Sequence, residues 1–185
     1  GRKSPYFFNA ARMLNGGYLY ELADCYKQAI DASNIKFDCI YGPAYKGIFL
    51  GSIIAMILDK DGFKYPLSFN RKEIKDHGEG GSVIGNNPSG DVLIVDDVIS
   101  AGTAAKESIQ MIKSIEANPK IMLVGLDRQE RGSGNLSARR ELEEEFDMKV
   151  ISIINLDTLI TYSESTPGFE AHLDRLQAYR NQWGA

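Results

Sequence analysis

The sequence predicts an α/β protein with a mostly parallel central sheet flanked by helices. Short apolar runs alternate with segments in which apolar residues recur every three or four positions, and these patterns are typical of strands and of helices. The most strand-like run, at residues 92–95, is apolar at every position, as expected of a parallel strand covered on both faces. Strands that alternate with helices connect as right-handed βαβ units, and ligands then bind beyond the carboxyl ends of the strands.

The first half of the chain predicts two helices, two strands and a loop. Apolar residues fall on one face of a helix over residues 16–32, and residues 48–58 are apolar nearly all round, which favours a buried helix. Residues 37–41 form a short apolar run that ends at a Gly-Pro pair and predict a strand, as do residues 65–69. Residues 71–90 are polar and rich in glycine, which is typical of a long loop that is either functional or disordered.

The second half continues the alternation after the apolar run. A helix over residues 103–117, a strand at 121–126, a helix over 137–146 and a strand at 150–154 are predicted. Thr166-Pro167 predicts an N-cap followed by proline at the first helical position, so that a final helix runs to about residue 182.

Composition limits the class of protein. The chain has 185 residues, 43% hydrophobic and 25% charged, which fits a single domain over residues 1–185 and argues against a disordered chain. The formal net charge of −4 argues against a general nucleic-acid binder. No run approaches the ~18 apolar residues that a membrane span needs, so no membrane partner is expected. Cys25 and Cys39 form no CxxC pair, and we expect reduced core or near-core residues of a cytoplasmic protein.

The strongest chemical signal lies in residues 92–104. The predicted strand delivers two adjacent acids, Asp96 and Asp97, to its carboxyl end, and a turn of small residues leads into a helix. The amino end of that helix offers backbone N–H groups and a positive dipole end to a phosphate, and Ser100 and Thr103 add hydroxyl donors. The two acids are suited to hold ribose hydroxyls or to help bind a divalent cation. The alternative is an ordinary turn in which Asp and Ser merely cap the helix.

This segment resembles the phosphoribosyl pyrophosphate (PRPP) motif of the type I phosphoribosyltransferases, which has four apolar residues, two acids, two apolar residues and then small and hydroxyl residues. The resemblance implies the type I phosphoribosyltransferase fold with a small hood. It also implies that PRPP contacts Asp96, Asp97, Val98, Ile99, Ser100, Ala101, Gly102, Thr103 and Ala104. No Gly-Lys-Ser or Gly-Lys-Thr sequence occurs, so a Walker A phosphate loop is excluded.

Three further stretches resemble the orotate phosphoribosyltransferase family. The first carries Phe7 and Phe8, and the family places such an aromatic pair beside the orotate ring. The second follows a Gly-Pro turn and carries Tyr45 and Lys46, which the family places at the orotate site. Taken alone, the aromatic pair fits a hydrophobic anchor equally well, and the second stretch fits an ordinary turn with a solvated lysine.

The third stretch is cationic and is followed by glycines. It carries Arg71, Lys72, Lys75 and His77, which match PRPP-binding positions of the family, and Lys75 matches the residue held most important for catalysis. The resemblance implies a mobile catalytic loop over residues 71–85 that closes over an anionic substrate. It further implies a homodimer in which residues 71–81 reach the neighbouring active site. The alternative is a solvated run of charge.

Arg128 follows a predicted strand and matches the arginine that pairs with the orotate carboxylate in this family. A planar guanidinium suits bidentate carboxylate binding, whereas the alternative is an ordinary surface arginine. The resemblance also assigns Ser100 to the orotate site.

The resemblance implies transfer of ribosyl 5-phosphate from PRPP to N1 of orotate, giving orotidine 5′-monophosphate and pyrophosphate in de novo pyrimidine biosynthesis. The implied catalytic residues are Lys75, Asp96 and Asp97. The implied cofactor is Mg²⁺, held mainly by PRPP and through water by Asp96 or Asp97. The family also has a helix and a short hairpin before the first stretch, which this sequence lacks, so we expect a truncated hood.

Three other functions stay open from the residues alone. A purine-specific enzyme of the same fold offers no substrate carboxylate to Arg128. A regulatory protein that binds PRPP without turnover keeps residues 92–104 but has no need of the cationic stretch. A nucleotide-binding domain unrelated to PRPP leaves the absence of a Walker A or dinucleotide fingerprint unexplained.

Overall fold

The computed structural model describes residues 2–75 and 81–185, and within them six strands form one sheet. The strands are β1 (Cys39–Tyr41), β2 (Leu67–Lys75), β3 (Gly81–Gly85), β4 (Asp91–Ile99), β5 (Asn118–Asp127) and β6 (Lys149–Asn155). Their order across the sheet is β3-β2-β1-β4-β5-β6. Neighbouring strands are parallel apart from β2 and β3, which are antiparallel. The predicted mostly parallel α/β sheet is therefore confirmed.

Helices connect the strands and cover both faces of the sheet. After a 3-10 helix at Ala10–Asn15 they are α1 (Leu19–Ser33), α2 (Lys46–Lys60), α3 (Thr103–Ser114), α4 (Ala138–Phe146), α5 (Leu156–Ser165) and α6 (Glu170–Trp183). Among the described residues, no helix is both long and apolar enough to cross a membrane.

The apolar run in β4 joins the two halves of the core. Leu93 and Val95 pack with α1 and α2, whereas Val92 and Ile94 pack with α3 and α4. Side chains of a strand alternate between its two faces, so a run that is apolar at every position serves both cores at once. This packing confirms the expectation that both faces of the strand are covered, and it fixes the carboxyl end of β4, where the two acids lie.

The segment predicted as a loop over residues 71–90 contains strand on both sides. β2 continues to Lys75, and β3 returns antiparallel to it, with Phe69 opposite Ile84 and Asn70 opposite Val83. The prediction of uninterrupted loop is therefore wrong at 71–75 and 81–85. Glycines flank the short apolar pair in β3, and its pairing with the polar end of β2 is a tertiary contact without a local signature.

The last helix starts later than the sequence predicts, at Glu170 instead of position 167. Thr166 ends α5 in an extended conformation, because proline at position 167 disfavours helical dihedrals in the residue before it. Gly168 then has φ +91°, and α6 begins only at Glu170. The sequence prediction missed α5, which starts at Leu156 directly after β6. Asn155, the last residue of β6, caps this helix, because its side chain accepts a hydrogen bond from the amide of Thr158 at 2.9 Å.

The two cysteines lie in different environments. Both are free thiols, and Cys39 is buried in β1 as expected. Cys25 is exposed on α1, so its assignment to the core is wrong. The apolar face of α1 carries Ala23 and Tyr26, and position 25 lies outside that face.

Candidate active site

The turn between β4 and α3 is open to an anion. Gly102 precedes α3 with φ +85°, a left-handed conformation that favours glycine. No side-chain oxygen of the described residues caps the amides in the first turn of α3, so the interpretation of this segment as a merely capped helix is wrong. The predicted contacts Ser100, Ala101, Thr103 and Ala104 are exposed, and Val98 and Ile99 complete β4 before them. Backbone N–H groups and a helix dipole are therefore presented together.

The two acids of β4 differ in their surroundings. The Asp97 carboxylate is buried and forms an ion pair with Lys46, with Nζ 2.5 Å from Oδ2. The Asp96 carboxylate accepts a hydrogen bond from the amide of Asp97 at 2.8 Å, and its backbone oxygen accepts one from Tyr26 Oη at 2.9 Å. Burial raises the pKa of Asp96 to about 7 against the opposing effect of the Asp97 amide. Asp96 is therefore more easily protonated in the free protein than an ordinary aspartate.

Lys46 reaches Asp97 because glycines let the chain segments approach. Lys46 is the first residue of α2, which follows the Gly-Pro turn after β1. A Cβ on Gly47 would lie 2.8 Å from the carbonyl oxygen of Val95 in β4, closer than real Cβ contacts. The turn is also tied to β2, since the amide of Ala44 donates to Asn70 Oδ1 at 2.7 Å. The glycine-rich turn thus brings a predicted orotate residue against a predicted PRPP residue.

The aromatic pair at positions 7 and 8 divides between solvent and protein. Phe7 is 75% exposed, whereas Phe8 is half-buried. A Cβ on Gly125 in β5 would lie 3.2 Å from Phe8 Cζ and 3.0 Å from both Tyr26 Oη and the Asp97 carbonyl oxygen. The Phe8 ring therefore covers the carboxyl half of β5 beside the two acids, in space that Gly125 leaves open. Phe8 is placed to form an apolar wall of a site at this edge.

Arg128 is half-buried in a hydrogen-bonded cluster. Its Nε donates to Glu130 Oε1 at 2.6 Å, and its Nη2 donates to Tyr179 Oη at 2.9 Å. Tyr179 Oη in turn donates to Glu130 Oε1 at 2.7 Å, and the guanidinium lies 4.8 Å from the centre of the Tyr6 ring. Burial opposes ionisation of Glu130, but hydrogen bonds from Tyr179 and Arg2 and the charge of Arg128 outweigh it, so the pKa of Glu130 is lowered.

This cluster adjoins the end of β4. The amide of Arg128 donates to the carbonyl of Ile99 at 3.1 Å, so Arg128 lies beside the last residue of β4, where the turn to α3 begins. Tyr45, by contrast, is 73% exposed on the turn before α2.

The predicted cationic stretch lies partly within the described structure. Arg71 is half-buried in β2, which runs parallel to β1 and ends at the same edge of the sheet as β4. Lys72 and Lys75 also belong to β2, but their side chains lie outside what is described. His77 lies outside the described residues.

Comparisons with known proteins decide the family. The sequence model of the phosphoribosyl transferase domain matches residues 15–154. The chain is 50% identical over 184 residues to the orotate phosphoribosyltransferase of Marinobacter nauticus, covering 100% of this chain and 87% of that protein. The chain belongs to the orotate phosphoribosyltransferase family. It is also 47% identical over 185 residues to the Haemophilus influenzae orotate phosphoribosyltransferase, again covering 87% of that protein.

Solved structures of orotate phosphoribosyltransferases share the fold. The crystal structure from Francisella tularensis superposes with a TM-score of 0.85 at 36% sequence identity and covers 100% of this chain and 89% of that one. The Aeropyrum pernix structure gives a TM-score of 0.71 at 25% identity over 90% of this chain.

The metal that the orotate phosphoribosyltransferase family implies fits the acids at this edge. Mg²⁺ is usually bound by one or two carboxylates together with substrate phosphates. Asp96 and Asp97 provide two adjacent carboxylates, and no group of three or more His, Cys, Asp or Glu side chains among the described residues could hold a metal. The donor set therefore fits an ion held largely by substrate.

Sequence reasoning missed several residues that lie in this candidate site. Tyr26 and Gly125 adjoin the acids from α1 and β5, and neither carries a local motif. Tyr179 reaches Arg128 from α6, and no sequence signal predicts that contact. Glu130 lies two positions after Arg128, but Gln129 between them has φ +51°, so no strand alternation in the sequence predicts their contact.

Proposed function

We propose that this chain transfers the ribosyl 5-phosphate group of PRPP to N1 of orotate, giving orotidine 5′-monophosphate and pyrophosphate in de novo pyrimidine biosynthesis. The observation that carries the proposal is the contact of Lys46 with Asp97 beside the uncapped amino end of α3, in a chain 50% identical over its whole length to a protein named for this activity. The bond from ribose carbon 1 to pyrophosphate breaks and its electron pair leaves with pyrophosphate, a bond from carbon 1 to N1 forms, and the proton of N1 passes to solvent.

The β4–α3 segment binds the ribosyl 5-phosphate. The phosphate accepts hydrogen bonds from the first amides of α3, and Gly102 lets it approach the backbone closely. The carboxylates of Asp96 and Asp97 accept hydrogen bonds from the ribose hydroxyls. Their negative charge also favours the positive charge that develops on carbon 1 as the leaving group departs.

The cationic residues neutralise the departing pyrophosphate. We assign this role to Arg71, Lys72, Lys75 and His77, acting from the neighbouring subunit of a homodimer. Lys46 exchanges its contact with Asp97 for an oxygen of the substrate. Asp96 or Asp97 would hold a substrate-bound Mg²⁺ through water, and the ion would supply Lewis-acid stabilisation of the leaving group.

Orotate lies between Phe8 and Arg128. The ring packs against the aromatic wall that Phe8 forms over Gly125, and the guanidinium of Arg128 binds the carboxylate. A neutral purine offers no carboxylate to Arg128, which favours orotate over purines as the acceptor. Phe7, Tyr45 and Ser100 complete the proposed orotate contacts.

We place the reaction in the cytoplasm, with no nucleic-acid or membrane partner. The free thiols of Cys25 and Cys39 support a reducing compartment. The net charge of −4 supports small anionic substrates bound at a local cationic site over a nucleic-acid partner.

The deciding experiment compares two acceptor bases. The purified chain is mixed with PRPP, Mg²⁺ and either orotate or hypoxanthine, and both orotate absorbance and pyrophosphate are followed. We expect pyrophosphate release that depends on orotate and matches orotate loss. Turnover with hypoxanthine alone would replace orotate with a purine, and PRPP binding without turnover of either base would indicate a regulator.

A further inference from the structure

The guanidinium of Arg128 is held in place by two side chains. Its Nε donates to Glu130 at 2.6 Å and its Nη2 donates to Tyr179 at 2.9 Å, so one edge of the planar guanidinium is taken by protein partners. Tyr179 donates to the same Glu130 oxygen at 2.7 Å, which closes a three-membered ring of hydrogen bonds. In the part of the chain that the structure describes, these are the side chains bonded to the guanidinium. The opposite edge, formed by Nη1 and the second hydrogen of Nη2, is left for a ligand.

The charge of this cluster depends on a residue 128 positions away. Arg2 Nη1 lies 2.8 Å from Glu130 Oε2, and Arg2 Nη2 donates to the carbonyl of Arg131 at 2.9 Å. The Glu130 carboxylate is 3% exposed. With Arg128 alone, that carboxylate would cancel the guanidinium charge and weaken its attraction for a substrate anion. With Arg2 added, two cations share one anion, and the hydrogen-bonded cluster keeps a net charge of +1.

We propose that Glu130 and Arg2 are positioning residues for the acceptor substrate. Glu130 fixes the plane of Arg128 so that its Nη1–Nη2 edge faces the substrate carboxylate, and Arg2 compensates the charge of Glu130. Arg2 also ties the segment that carries Phe8 to the loop after β5, so the aromatic wall and the carboxylate-binding arginine are set by one cluster. This inference rests on the proposed function, because it concerns how the orotate carboxylate is bound.

A merely structural tie predicts a different outcome. If the cluster only fastens the amino-terminal segment and α6 to β5, its loss lowers stability and scales down activity with both substrates. If it positions Arg128, its loss raises the KM for orotate selectively, because PRPP binds at the β4–α3 turn instead.

The experiment measures steady-state kinetics of Arg2→Gln, Arg2→Lys and Glu130→Gln with each substrate varied in turn. Arg131→Gln is the matched control, since Arg131 is a cation of the same loop whose side chain bonds the backbone of Gln182 in α6. We expect Arg2→Gln to raise the KM for orotate about tenfold, with kcat and the KM for PRPP changed less than about twofold. Arg2→Lys should keep the KM for orotate close to that of the unmodified chain because it keeps the positive charge. Arg131→Gln should behave as the unmodified chain.

Glu130→Gln separates positioning from charge. This substitution raises the net charge of the cluster to +2, so simple attraction would lower the KM for orotate. We expect the KM for orotate to rise about tenfold or more, because the amide has one acceptor oxygen where the carboxylate uses two, and no charge to hold Arg128 and Arg2. Thermal unfolding shows whether Glu130→Gln folds. If it does not fold, the comparison of Arg2→Gln with Arg2→Lys tests the positioning role.

The two proposals fail in distinguishable ways. No turnover of orotate by the unmodified chain overturns the proposed function, and the positioning role with it. Turnover by the unmodified chain, with an unchanged or lowered KM for orotate in Arg2→Gln and Glu130→Gln, overturns the positioning role alone.

Discussion

Lys46 Nζ lies 2.5 Å from Asp97 Oδ2, which joins the start of α2 to the end of β4 across 51 positions of the chain. Asp97 is buried, whereas the Lys46 side chain is 43% exposed. One partner belongs to the proposed orotate residues and the other to the proposed PRPP residues. The two halves of the site are therefore electrostatically coupled before any substrate binds.

Removing Lys46 should destabilise the protein. In Lys46→Met the buried Asp97 carboxylate loses its cation, and we expect the free energy of unfolding to fall by about 1–2 kcal/mol, less than for a fully buried pair because Lys46 is partly solvated. Urea unfolding at pH 7 measures the change. The control is Lys106→Met, which breaks the exposed pair with Glu145 and should have no measurable effect. Equal stability of both variants would show that the contact contributes nothing to the folded state.

The acid limb of the pH–rate profile should report Asp96. Burial raises the pKa of Asp96 to about 7 in the free protein, and only the carboxylate form carries the negative charge that strengthens its hydrogen bonds from ribose hydroxyls and favours a positive carbon 1. We expect kcat/KM for PRPP to fall as the pH drops below about 7. In Asp96→Asn this limb should disappear and the remaining activity should be low. An unchanged limb in Asp96→Asn would assign it to another group.

The same group should make stability fall as the pH rises. The pKa of Asp96 is about 7 when folded against its ordinary value of 3.8, so between these values the folded state binds more protons than the unfolded state. The Asp96 contribution to the free energy of unfolding therefore decreases from pH 4 to pH 7. Urea unfolding of the unmodified chain and of Asp96→Asn across this range isolates the contribution. A difference between them that does not vary with pH would contradict the raised pKa.

The β4–α3 part of the candidate site could be predicted because it is continuous in sequence. Residues 92–104 combine a doubly buried strand, two acids and a small-residue turn, and each part has a local physical signature. The fold class followed from the same run. The strand β3 and the helix α5 were missed because their boundaries depend on pairing at a sheet edge and on one proline after the helix, which the hydrophobic pattern does not reveal.

The proposed acceptor-binding part of the site could be predicted only in fragments. Phe8 and Arg128 were singled out separately, but what holds them was not. Glu130 contacts Tyr179 across 49 positions and Arg2 across 128 positions, and only the packing of α6 and of the amino-terminal segment against β5 creates those contacts. A lone acid in a loop gives no sign of such a role.

The two adjacent phenylalanines should have unequal effects. Phe8 is half-buried over Gly125, whereas Phe7 is 75% exposed. We expect Phe8→Leu to lower the free energy of unfolding by about 1 kcal/mol and to raise the KM for orotate about tenfold, because the aromatic wall is lost. Phe7→Leu should change stability by less than about 0.5 kcal/mol. Thermal unfolding and initial rates measure both effects, and a larger loss of stability in Phe7→Leu would show that the two rings have exchanged roles in solution.

The proposed sharing of the cationic stretch between subunits predicts complementation. A Lys75→Ala chain and a chain carrying Asp96→Asn with Asp97→Asn are each expected to be inactive. If Lys75 acts in the partner's site, a mixed dimer contains one site with intact acids and an intact lysine, and one site that lacks both. Random pairing makes about half of the dimers mixed, so the mixture should recover about a quarter of the unmodified activity. If Lys75 acts within its own subunit, every site in every dimer is defective and nothing is recovered. Refolding the two inactive chains together and measuring orotate turnover per site therefore decides between the arrangements, with refolded unmodified chain as the reference for recovery.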